Sequence, residues 1–126
     1  MTFAEVSGAT ASSPEPGLTV YESMVIRDLR ILAQPLDGDV YHYRDNYGLE
    51  IDAIVQLASG EWGAFEVKLG GEKLIDEGAT SLLRFAEQID TEKSGPPAVL
   101  AVITGTGYGY VRDDGVAVVP IGPLAP

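Results

Sequence analysis

A chain of 126 residues with nineteen acidic and eight basic side chains, net charge −11, fits one domain that buries roughly two-thirds of its unfolded surface. The charge opposes nucleic-acid binding by the domain alone, because that binding depends on Lys and Arg displacing counterions from phosphates. The absence of cysteine excludes disulfides and thiolate metal sites, and no run approaches the ~20 apolar residues of a membrane span. With no signal-peptide pattern either, a cytoplasmic location is expected.

Residues 1–17 read as a flexible tail, small and polar and ending in Ser12-Ser13-Pro14-Glu15-Pro16-Gly17, so that the domain spans residues 18–126. From Thr19 to about Gln34, Tyr21, Met24, Val25, Leu29 and Leu32 recur at helical spacing. Thr19 with Glu22 makes a capping box, and Pro35 marks the end. Val40–Arg44 reads as a strand, bounded by Asp37-Gly38 and Asp45-Asn46.

A hairpin follows, from Leu49–Leu57 through a turn near Ser59-Gly60 to Trp62–Leu69. Strict alternation puts Ile51, Ala53, Val55 and Leu57 on one face and Glu50, Asp52, Ile54 and Gln56 on the other. The loop length then decides which residues meet. A two-residue loop pairs Asp52 with Val67, whereas a three-residue loop, Ala58-Ser59-Gly60, sets Asp52 opposite Glu66. The apolar pattern favours the longer loop.

After Gly70-Gly71, residues Glu72 to about Asp90 form a second predicted helix with Ile75, Ala79, Leu82, Ala86 and Ile89 on one face. Glu72, Asp76 and Glu77 suit its positive N-terminal end. Ala98–Thr104 is nearly all apolar, as in a strand covered on both faces. Tyr108–Arg112, a turn at Asp113-Asp114-Gly115 and Val116–Pro120 suggest a closing C-terminal β-hairpin.

Asp52, Glu66 and Lys68 are the side-chain types that bind a divalent metal and aim a water at a phosphodiester. Two carboxylates facing each other across a sheet repel unless a cation sits between them. Lys68 can serve, and so can Mg²⁺ or Mn²⁺, hard ions that take oxygen ligands and keep several waters. The simpler alternative is an exposed Asp52–Lys68 ion pair worth about 0–1 kcal/mol. His42 reads as a packing or surface residue, Asp45-Asn46-Tyr47-Gly48 as a turn, and Tyr41, Tyr43, Tyr108 and Tyr110 as core or edge tyrosines rather than a base-stacking surface.

Gly48-x-Glu50-Ile51-Asp52 with Ala64-Phe65-Glu66-Val67-Lys68 resembles the signature of the PD-(D/E)XK, or restriction-endonuclease-like, nuclease superfamily. Tyr21–Leu29 and Tyr43-Arg44-Asp45-Asn46 resemble more closely the C-terminal domain of uncharacterised bacterial and archaeal AAA-type ATPases. The resemblance implies an α/β fold with an αβββαβ core, a mixed central sheet and two flanking helices. It also implies a Mg²⁺-dependent hydrolase acting on nucleic acid, with Asp52 and Glu66 as metal ligands and Lys68 as the catalytic lysine. Glu22 is the acid contributed by the first helix in that scheme, and Glu50 an extra ligand. Ile51 stands where the motif has Pro, and no phosphate-binding loop of an ATPase is present. The same resemblance also admits a non-catalytic module that contacts an ATPase partner or forms a homo-oligomer.

Overall fold

The structure is a computed structural model that describes residues 10–11, 20–46, 48–69, 71–89, 95–105 and 107–121. In chain order the elements are β1 (Thr10–Ala11), α1 (Val20–Ala33), a 3₁₀ turn (Gln34–Leu36), β2 (Asp39–Arg44), β3 (Glu50–Gln56), β4 (Trp62–Val67), α2 (Glu72–Gln88), β5 (Val99–Thr104), β6 (Tyr110–Val111) and β7 (Ala117–Pro120). The strands form one mixed sheet in the order β1-β2-β3-β4-β5-β7-β6. β1 to β4 pair antiparallel, β4, β5 and β7 run parallel, and β6 closes the far edge antiparallel to β7.

The two helices cover opposite faces of the sheet, as the alternation along the strands requires. On β4, Ala64 joins the core under α2 with Leu82 and Phe85, while Val67 joins Val25 of α1. On β5, Val102 and Ile103 divide in the same way, so Ala101–Thr104 is covered on both faces as the composition suggests, while Ala98 and Val99 at the start of the run are exposed. Chain reversal after α1 follows from Pro35 and from Asp37, whose left-handed backbone lets its N–H reach the Gln34 carbonyl. No described helix is long and apolar enough to cross a membrane.

Several details differ from expectation. Thr10 and Ala11 pair with His42 and Tyr41 on the outer edge of β2, inside the stretch read as a tail; the rest of that stretch, and Thr19 of the capping box, lie outside the described residues. Helix α2 ends at Gln88, where Ile89 turns extended. Its buried stripe also runs through Gly78 and Phe85, which the predicted face omits, while Ala86 is only half-buried.

Candidate functional site

The β3–β4 loop decides what meets what. The Leu57 N–H donates to the Glu61 carbonyl at 2.8 Å and the Gly60 N–H to the Leu57 carbonyl at 2.9 Å. Gly60 takes φ +95°, a left-handed value that an L side chain resists. The loop therefore holds three residues, Ala58 to Gly60, and pairing runs from Gln56–Trp62 to Ala53–Phe65. One step further along this register stand Asp52 and Glu66, as the longer-loop alternative requires.

The ladder stops before that step because β3 bulges. Tyr41 pairs with Ile54 but Tyr43 pairs with Ile51, so His42 alone faces both Asp52 and Ala53. An extra residue re-aims the side chains beyond it. Ile51, expected beside Ala53, instead packs with Ile54 and Phe85 under α2, while Ala53 packs with Ile26 of α1. The strict two-face alternation assumed for Leu49–Leu57 thus fails at Asp52.

Both acids close the resulting gap. The Asp52 N–H donates to Glu66 Oε1 at 3.1 Å, and the Val67 N–H donates to Asp52 Oδ2 at 2.8 Å. Each carboxylate thereby supplies an acceptor where the β3–β4 ladder has ended, in a half-buried to buried setting where an unmet N–H is expensive. Lys68 Nζ lies 3.8 Å from Glu66 Oε2, with the lysine side chain partly exposed.

The electrostatics follow from crowding two acids in a dry place. Glu66 is 4% exposed. Burial, and then the Asp52 charge, push its carboxyl up to about 8, against Lys68 and the Asp52 N–H. The Asp52 carboxyl is also raised, chiefly by burial, with the Val67 N–H opposing and the charge of Glu22 adding to the rise. Burial and their mutual charge thus disfavour ionising both carboxylates at once.

Asp52, Glu66 and Lys68 thus come together as the hairpin motif suggests. The other two candidates stand differently. Glu50 lies with Arg44, whose Nη2 is 2.8 Å from Oε1, and with His42, whose Nε2 is 3.2 Å away. Arg44 first of all holds the Glu50 carboxyl below its ordinary range. Glu22 is felt at Asp52 through its charge. Among the described residues no group of three or more His, Asp or Glu side chains is gathered closely enough to hold a metal ion, so neither Glu22 nor Glu50 completes a cage with the central pair.

Other expectations resolve plainly. Tyr41 and Tyr43 are buried under α2, as core tyrosines; Tyr108 and Tyr110 are exposed. Asp45 Oδ1 takes the Leu49 N–H at 3.0 Å; Tyr47 of the turn expected at Asp45–Gly48 lies outside the described residues. Asp76 pairs with Arg112, which also reaches Asp114, so its partner is a side chain from the closing hairpin. His42 is buried beside Glu50 and faces the bulge. The register Arg44–Glu50 is the signal that finds this cluster, and it is readable only once β2 and β3 are aligned.

Gly78 is a contributor that the motif does not reveal. A glycine inside a helix is about 1 kcal/mol worse than alanine, so its place in α2 needs a reason. A Cβ there would meet Val102 Cγ2 at 3.2 Å, Lys68 Cγ at 3.3 Å and Glu66 Cβ at 3.5 Å. The missing methyl lets α2 lie directly on the Glu66–Lys68 strand end. Gly78→Ala gains helix propensity but overpacks this contact by about 1–3 kcal/mol. The expected net loss is about 1 kcal/mol in a urea melt, and a more stable variant would show that α2 can back away.

A sequence profile described as a domain of unknown function (DUF4143) matches residues 19–124. No curated protein matches the chain, and no solved structure matches it.

Proposed function

The chain belongs to the DUF4143 family, whose description assigns no activity, and from that premise we propose a nuclease-like role. In this reading the domain has the restriction-endonuclease-like α/β fold and hydrolyses phosphodiester bonds of nucleic acid with Mg²⁺ or Mn²⁺ held by Asp52 and Glu66. The observation that carries the reading is the meeting of these two carboxylates across the open end of β3 and β4, with Lys68 beside them. The element order α1-β2-β3-β4-α2-β5 is consistent with the αβββαβ core.

The donor set fits the ion. Mg²⁺ takes hard oxygens and is commonly held by one or two carboxylates plus waters and substrate phosphate. One oxygen of each acid is engaged by a backbone N–H, which leaves Asp52 Oδ1 and Glu66 Oε2 for a ligand. When bound, such an ion lowers the pKa of its water and stabilises charge on phosphoryl oxygens. Lys68, 3.8 Å from Glu66, orients the nucleophile or offsets that developing charge. Glu66 must release its proton to become a ligand, so affinity climbs as pH rises towards about 8.

Calorimetric titration with Mn²⁺ tests the reading. Wild type is expected to give saturable heat that Asp52→Asn abolishes, with apparent affinity higher at pH 8 than at pH 6. Absence of saturable heat in the wild type, or full binding by Asp52→Asn, would end it.

The second reading is a non-catalytic module that docks on an ATPase partner or on another copy of the chain. Its support is the net charge of −11 together with Ile31, Leu32 and Leu36, exposed large apolar side chains at the end of α1 and in the turn after it. Concentration-dependent sedimentation that Leu32→Asp removes, in a protein that binds no Mn²⁺, would favour it.

A further inference from the structure

Past the carboxyl ends of β4 and β5, against the first turn of α2, lies an open groove of about 320 Å³. Ligands of sheets with parallel strands commonly sit in such a place. Leu69 and Ile75 supply aliphatic wall, Thr104 lies at its base, and Tyr108 and Tyr110 flank it. Tyr108 is 89% exposed, so its ring face is open to stacking by a flat ligand. Glu72 is the carboxylate lining the groove.

The chain links the groove to the strand end that carries Glu66 and Lys68. Leu69 follows Lys68 directly. Ile75 sits three residues, just under one helical turn, before Gly78, and Thr104 two residues beyond Val102, both of which pack at the Glu66–Lys68 contact.

We propose that this groove takes one unpaired nucleobase of the strand held at Asp52, Glu66 and Lys68, stacked on Tyr108 with an exocyclic amine donated to Glu72. The chemistry favours a base over a phosphate. Every base has a π-face that an aromatic side chain can stack on, and a carboxylate accepts well from an exocyclic amine. Glu72 and the net charge of −11 repel a phosphate, so the backbone is left to Lys68 and the bound ion. The substrate class is therefore unpaired or unstacked nucleic acid rather than intact duplex. This assignment rests on the hydrolase reading for its strand, but the groove can be tested without metal or phosphate.

The experiment titrates the full chain, free of divalent ions, with the uncharged nucleosides adenosine and cytidine, and follows side-chain NMR signals. Saturable shifts are expected at Leu69, Ile75, Tyr108 and Tyr110. Tyr108→Phe should retain them, Tyr108→Leu should weaken binding at least tenfold, and Glu72→Gln should weaken it less. Since Tyr108 is on the surface, these variants keep the fold. No saturable shift, equal response in Tyr108→Leu, or the same response to indole, which lacks the exocyclic amine, would overturn the proposal. Nucleoside binding without Mn²⁺ binding would uphold the groove and sink the hydrolase; the reverse result would sink the groove alone.

Discussion

Glu66→Gln is expected to raise the melting temperature of the domain by about 5–10 °C at pH 9, to change it little at pH 5, and to abolish Mn²⁺ binding. The sign comes from a folded-state carboxyl pushed up to about 8 from an ordinary 4.5. Below about 4.5 both folded and unfolded chains hold the proton, and ionisation costs nothing. Between 4.5 and 8 the unfolded chain has released it while the folded chain keeps it, so stability falls as pH rises. Above 8 the full penalty of a buried carboxylate near Asp52 is present. A glutamine keeps an oxygen for the Asp52 N–H and removes the charge. With relaxation around the site, the gain is about 1–3 kcal/mol, which for a domain of this size gives the temperature shift stated. Thermal melts at the two pH values provide the check. A variant less stable than wild type at pH 9 would mean that an ionised Glu66 is a net structural partner of Lys68.

Phe85→Ala should cost about 3–5 kcal/mol in urea unfolding, a large part of the 5–15 kcal/mol that holds a typical domain together. Phe85 is fully buried and meets Tyr43 edge-on at 4.7 Å and Trp62 at 5.9 Å. It therefore ties α2 to β2 and β4 at once, on the face opposite α1. Phe85→Leu keeps most of the volume and should lose less than half as much. A loss under about 1 kcal/mol for the alanine variant would show that α2 collapses into the space and that its packing does not fix the sheet.

The parts of this molecule that were readable from residues alone are those in which local signals agree on one outcome. Ser59-Gly60 marks the turn but admits two loop lengths; the apolar pattern favours the three-residue loop, and the register that brings Asp52 to Glu66 follows it. Asp113-Asp114-Gly115 builds a second loop of the same kind, with Gly115 at φ +88°. The bulge at Asp52-Ala53 needs no glycine and no unusual side chain, so alternation along the sequence runs straight through it and puts Ile51 on the wrong face. Glu50 stands apart from the central pair because the β2–β3 alignment that gives it to Arg44 and His42 is a long-range fact. On α2, helical spacing points to Ala86, whereas the neighbouring Phe85 carries the packing. The Tyr108–Tyr110 groove was out of reach, since it needs the closing hairpin folded back against the start of α2.

One feature of the open strand end reaches beyond chemistry. The N–H groups of Asp52 and Val67 donate to the two carboxylates. Discarding either acid for an apolar residue would strand an amide inside the domain, whatever the domain does. Relatives of this chain should accordingly keep an oxygen-bearing side chain at both places whether or not they catalyse anything, with asparagine and glutamine as the easiest replacements. An inactive relative would then be recognised by amides in place of acids, and by a lysine set free to change.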